Sequence, residues 1–177
     1  MSTQIRLAGS GGQGIILASI ILAEAALLDK KFAAQSQSYG PEARGGVCKA
    51  EVVIADEEID YPKVQKVDVL LVLTQESLTK YSKETVSDSI IVADSSLKVP
   101  TSGVKGTVIS VPILQTASDV VGDIMTANVV AVGALNAIAK TVDNDALKKA
   151  LFMHIPRGTE DLNNKALLEG EKLYIKT

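Results

Sequence analysis

A chain of 177 residues with 46% hydrophobic and 22% charged side chains has the length and balance of one globular domain with a sizeable core. Its formal net charge of −3 argues against a nucleic-acid-binding surface, and no polybasic run offers itself to an anionic membrane. One cysteine (Cys48) rules out an intramolecular disulfide and an iron–sulfur cluster held by it alone, and one histidine (His154) argues against a histidine-based metal site.

Aromatic residues make up only 3% and Trp is absent, so the core has to be built from Val, Ile, Leu and Ala, which suits a sheet covered on both faces by helices. Gln4 to Ala8 alternates as a first strand, and a glycine cluster from Gly9 to Gly14 follows at once. Ile15 to Leu28 reads as a helix; it is too short to span a bilayer and contains Glu24. No basic region, apolar run and cleavage site mark the N-terminus as a signal peptide, so a cytoplasmic protein is expected. Phe32 to Gln35 is a short second strand, and Ser36 to Gly46 a turn-rich connection carrying Gly40-Pro41 and Gly45-Gly46.

Val47 to Ala55 is the next strand, and Asp56-Glu57-Glu58 a solvated turn. Val67 to Leu73 is a continuous apolar run, typical of a strand buried on both faces. Thr74 to Ser82 is a short helix capped by Thr74. Ser89 to Ala93 and Thr107 to Val111 are two further strands. Ala127 to Val142 is a second largely apolar helix, with Asn128 read as its cap. Asp143 to Leu151 and Thr159 to Leu173 are amphipathic helices. The alternation predicts an α/β fold: a Rossmann-like three-layer sandwich with a mostly parallel sheet in a single domain, with room for an antiparallel excursion between Phe32 and Ala55.

Gly9-Ser10-Gly11-Gly12-Gln13-Gly14 satisfies G-x-G-x-x-G between a predicted strand and a predicted helix, the context that gives this motif meaning. Glycines permit the tight turn and let backbone N–H groups approach an oxyanion, while the helix start adds unsatisfied N–H groups and its positive dipole end. A phosphate or diphosphate is the natural guest; a tight turn with no guest is the plain alternative. NAD is disfavoured, because Phe32 to Ser36 ends without the Asp or Glu that would hold a ribose, and Asp29 sits at the helix end before that strand. A Walker A loop is excluded because no Lys-Ser or Lys-Thr follows the glycines.

Gln37-Ser38-Tyr39-Gly40-Pro41-Glu42-Ala43-Arg44-Gly45-Gly46 gathers an aromatic, an acid, a guanidinium and three glycines in one connection. Such a loop can present Arg44 to a phosphate or carboxylate; the plain alternative is a turn in which Glu42 and Arg44 are solvated or pair locally. Together with the glycine loop, and with Ile59-Asp60-Tyr61-Pro62 and Thr126-Ala127-Asn128-Val129, it resembles the gamma subunit of 2-oxoacid:ferredoxin oxidoreductases over essentially the whole chain. The Gly40-to-Gly46 wording is closer to the 2-oxoglutarate branch than to the pyruvate branch.

The resemblance implies that residues 1–177 form one gamma-type catalytic domain of a multi-subunit enzyme. That enzyme converts 2-oxoglutarate to succinyl-CoA by oxidative decarboxylation, with coenzyme A as co-substrate and ferredoxin as electron acceptor. It places thiamine diphosphate and the iron–sulfur clusters in companion alpha and beta subunits, with a delta subunit as an optional addition. It assigns part of the coenzyme A site to Gly9, Ser10, Gly11, Gly12, Gln13 and Gly14, with Arg44 as an anion or interface contact, and gives this chain no catalytic residue, no metal and no activity of its own. A related indolepyruvate-type or other 2-oxoacid enzyme, and a stand-alone nucleotide- or CoA-binding regulator, are the competing readings. Cys48 is expected to be a small buried filler and His154 structural or interfacial. The helices Ile15–Leu28 and Asn128–Val142, apolar on most of their faces, either meet another subunit or are buried between the sheet and further helices of the same domain.

Overall fold

The computed structural model describes residues 2–38 and 46–175. In chain order it contains β1 (Ser2–Ser10), α1 (Ile15–Leu28), β2 (Phe32–Ser38), β3 (Val47–Ala55), β4 (Val67–Val72), α2 (Gln75–Tyr81), β5 (Thr85–Asp94) and β6 (Thr107–Val111). Then come α3 (Ile113–Gln115), which continues as a π-helical turn over Thr116–Val121, α4 (Ala127–Ala139), α5 (Asn144–His154) and α6 (Glu160–Ile175). Among the described residues the six strands form one sheet in the order β2-β3-β1-β4-β5-β6. β1, β4, β5 and β6 run parallel, while β3 is antiparallel to both β1 and β2. The antiparallel excursion is therefore the β2–β3 pair, set beside β1.

Period-two alternation sorts the strands onto two faces. Ile5, Leu7, Val52, Val69, Leu71 and Val92 pack beneath α1 and α4, with α5 and α6 outside them. Ala8, Leu70, Val72, Ile91 and Ala93 pack beneath Leu78 and Tyr81 of α2. The three-layer sandwich is thus uneven, thick on the α1/α4 side and thin on the α2 side.

This arrangement answers where the apolar helices spend their surface. Ala127 to Asn136 is buried without a break, because α4 lies between the sheet and α6. There two helices meet backbone to backbone: a Cβ on Gly170 would stand 2.2 Å from the Val130 carbonyl oxygen, and one on Gly133 would stand 2.5 Å from that of Leu167. α1 is likewise held between the sheet and α5, leaving Leu27 and Leu28 exposed at its end.

Local chemistry sets the helix ends. Thr74 caps α2 as expected, its Oγ1 accepting from the Ser77 N–H at 3.3 Å. Asp143 caps α5 by accepting from the Ala146 N–H. α4 stops at Ala139 rather than Val142 because Lys140 turns left-handed (φ 49°) and the Asn136 side-chain oxygen accepts the N–H groups of Thr141 and Val142. Asn128 is not the cap of α4: that position belongs to Thr126, and Asn128 lies inside the helix with its side chain turned toward Gly14.

The thin face holds a buried ionic cluster. Arg6 of β1 stands opposite Glu51 of β3 in the antiparallel register and donates to its Oε1 at 2.8 Å through Nε and at 2.7 Å through Nη2. It also pairs with Glu84, and its guanidinium lies 5.2 Å from the Tyr81 ring centre. Lys49 supplies a second cation to Glu51 at 3.1 Å.

Candidate functional site

β1 ends at Ser10, and after a four-residue turn the chain enters α1 at Ile15. The turn closes with Gln13 N–H donating to the Ser10 carbonyl at 3.2 Å, and Gly14 takes a left-handed conformation (φ 70°) as the N-cap residue of α1. Only a residue without Cβ is at ease there, and Gly12 (φ 91°) makes the same demand. Gly14 contributes no capping side chain, and the first turn of α1 contains no acidic residue. Its N–H groups are therefore left to an external acceptor.

Beside this turn lies a cavity of about 360 Å³ walled by Ser10, Gly11, Gly12, Gly14, Ile15, Ile16, Ser38 and Cys48. A Cβ built on Gly12 would meet nothing within 4 Å, so the backbone there faces open space. Its wall combines the backbone of the glycine turn with the side chains of Ile15 and Ile16. That combination suits a ligand with an anionic group attached to an apolar or aromatic body.

The six loop residues singled out by the sequence divide into two groups. Ser10, Gly11, Gly12 and Gly14 line the cavity. Gly9 and Gln13 build the turn itself. The Gly9 carbonyl accepts from the Ser77 hydroxyl at 3.3 Å, tying the loop to α2. Gln13 folds back so that its Oε1 accepts from the Ser10 N–H at 2.8 Å, which occupies that donor from within the chain. Tyr39 and Arg44 lie outside the described residues. The strand ends that carry their loop do not: Ser38 closes β2 and Cys48 is the second residue of β3, and both stand in the cavity wall.

Cys48 is the residue whose place sequence reasoning missed. Its neighbour across the sheet is Gly9, so the β1/β3 register carries it to the glycine loop, half-buried. Burial pushes its thiol pKa above the ordinary value, which keeps it protonated and a sluggish nucleophile. Iodoacetamide at neutral pH should alkylate it at about a tenth of the rate of a free thiol or slower, gaining speed into the alkaline range. Alkylation as fast as free cysteine would contradict this.

Asp29 stands at the other end of α1, roughly 20 Å from the glycine loop by helix rise. It bonds Lys31 at 2.9 Å and accepts from the Asp143 N–H; the hydrogen bond from Lys31, above all, holds its carboxyl below the usual range. β2, where a ribose-holding acid would sit, is separated from β1 by β3 and contains neither Asp nor Glu. His154 ends α5, half-buried, with its Nε2 3.9 Å from Glu24 of α1.

Comparison with known proteins agrees with this architecture. The family model described as pyruvate ferredoxin/flavodoxin oxidoreductase matches residues 4–173. The chain is 43% identical over 175 residues to 2-oxoglutarate synthase subunit KorC of Methanocaldococcus jannaschii, covering 96% of this chain and 92% of that one. It is 41% identical to the KorC subunit of Methanothermobacter marburgensis, covering 99% and 98%. The crystal structure of a keto/oxoacid ferredoxin oxidoreductase gamma subunit from Geobacter sulfurreducens PCA superposes with a TM-score of 0.88 at 40% identity, covering 99% of both chains.

Proposed function

The chain belongs to the pyruvate ferredoxin/flavodoxin oxidoreductase family, and from that membership we propose that it is the gamma subunit of a multi-subunit 2-oxoglutarate:ferredoxin oxidoreductase. The complex oxidatively decarboxylates 2-oxoglutarate, transfers the acyl group to coenzyme A to give succinyl-CoA, and reduces ferredoxin. The observation that carries this reading is the 43% identity to a KorC subunit along almost the full length of both chains.

Within that complex the chain's own part is to bind and orient. Ser10, Gly11, Gly12 and Gly14, with the uncapped start of α1, receive a phosphate-bearing part of coenzyme A, while Ile15 and Ile16 face its less polar portion. Gly9 and Gln13 hold the turn in shape. Arg44, on the loop that leaves and rejoins the cavity wall, is proposed as an anion or subunit contact. Thiamine diphosphate supplies the decarboxylation chemistry and iron–sulfur clusters the electron path, both from companion subunits. The residues of this chain do not fit a resident cluster, since it has one cysteine. Among the described residues no helix is long and apolar enough to cross a membrane.

Co-expression with the companion subunits tests the assignment through 2-oxoglutarate- and CoA-dependent reduction of a viologen dye. The complex should turn over, and the isolated chain should be colourless and silent. Gly12→Val places a branched side chain where the backbone faces the ligand, and should raise KM for coenzyme A about tenfold or more, the equivalent of one charge-assisted hydrogen bond, while moving KM for 2-oxoglutarate far less. An unchanged KM for coenzyme A would remove the loop from the site.

A further inference from the structure

Asn128 is an amide in an otherwise apolar stretch. It is 5% exposed, and its neighbours in α4 are Ala127, Val129 and Val130. Its Nδ2 lies 3.5 Å from the Gly14 carbonyl oxygen, and no hydrogen bond reaches its Oδ1 from the described residues. One long hydrogen bond stabilises little, and apolar packing does not by itself call for Asn at this position.

The geometry on the Gly14 side does. A Cβ on Gly14 would stand 2.5 Å from Asn128 Nδ2 and 2.8 Å from its Cγ, so the amide is pressed against the very residue that turns β1 into α1. The Gly14 carbonyl also accepts the Ala18 N–H at 2.9 Å, the first bond of α1. Asn128 is itself firmly placed. Asp123 caps the turn before α4 by accepting from the Met125 N–H at 2.9 Å, and Thr126 Oγ1 donates to the Asp123 carbonyl at 2.7 Å. Behind it, α4 is locked to α6 at Gly133 and Gly170.

We propose that Asn128 is a positioning residue for the glycine loop: it braces Gly14 in its left-handed conformation and so aims the N–H groups at the start of α1 into the cavity. The inference rests on the reading of that cavity as part of the coenzyme A site. A carbonyl only accepts, so the amide must present its NH₂ to Gly14. Asn128→Asp keeps the shape but sets a carboxylate against the Gly14 carbonyl. Asn128→Leu keeps the bulk and removes the hydrogen bond.

Both variants are to be assayed in the assembled complex beside Gly12→Val, with thermal melting as the control for folding. Asn128→Asp should raise KM for coenzyme A about tenfold and Asn128→Leu about threefold, with kcat and KM for 2-oxoglutarate moving less in each. A residue with a purely structural role would lower the active fraction, and with it kcat, at constant KM. If Gly12→Val raises KM for coenzyme A and both Asn128 variants that assemble leave it unchanged, the brace is refuted while the site stands. If none of the three moves it, the site and the brace fail together.

Discussion

Replacing Arg6 with Met is expected to destabilise the protein by about 3 kcal/mol, the low end of the range for stranding a buried charge. Arg6 is 6% exposed and Glu51 8%, so the substitution leaves a carboxylate in a dry position. Lys49 remains at 3.1 Å and keeps the loss from being larger. Glu84, half exposed, is recovered by water and adds little. In a thermal melt this corresponds to a fall in Tm of about 6–12 °C for a domain of this size. The double variant Arg6→Met, Glu51→Leu should regain most of it, since removing both charges removes the desolvation problem. A single variant that melts within about 2 °C of the parent, a loss of about 1 kcal/mol or less, would mean that the cluster carries little weight.

Gly170→Ala should also destabilise, by about 2–3 kcal/mol, against the direction that helix propensity dictates. In an exposed helix the change from Gly to Ala stabilises by about 1 kcal/mol. Here the new methyl group would lie 2.2 Å from the Val130 carbonyl oxygen and 3.1 Å from the Ala134 nitrogen, both backbone atoms that cannot swing aside. α6 must instead retreat from α4 by roughly 1 Å, opening this close backbone contact to looser packing. The sign of the change in denaturant midpoint decides between the two effects, and a stabilised variant would show that the helices separate at little cost.

Much of the fold was legible because its elements announce themselves locally. Val67 to Leu73 is unbroken apolar sequence, Ile15 to Leu28 lacks any breaker, and Thr74 stands where a cap should. What stayed hidden depends on partners distant in the chain. Arg6 reads as the polar member of an alternating strand; only the β1/β3 register sets it against Glu51. Gly133 and Gly170 read as weak points in two helices and are instead where those helices touch. Asn128, near a helix start, suggested a cap because capping is local, whereas its actual neighbour is 114 positions away.

The site was partly legible for the same reason. A strand, a glycine turn and a helix are consecutive in sequence, so the loop could be found by inspection. That Gly9 and Gln13 face inward, while Ser10, Gly11, Gly12 and Gly14 face the cavity, follows from a side chain folding back on its own turn. The motif pattern does not encode that division. Nor does it encode Cys48, which enters through strand pairing alone.

The β2–β3 pair also shapes how this protein can change over generations. The chain leaves the sheet at Ser38 and rejoins it at Val47, and at both points it is pinned by a ladder of backbone hydrogen bonds to neighbouring strands. Within β3, losing or gaining one residue would invert the pleat, turning Glu51 toward the apolar underside of α1 and Ala50 toward the Arg6 face, so a single insertion there would disrupt the core. Ser38 and Cys48 both stand in the cavity wall, so a slip of register between β2 and β3 would reshape the cavity along with the core.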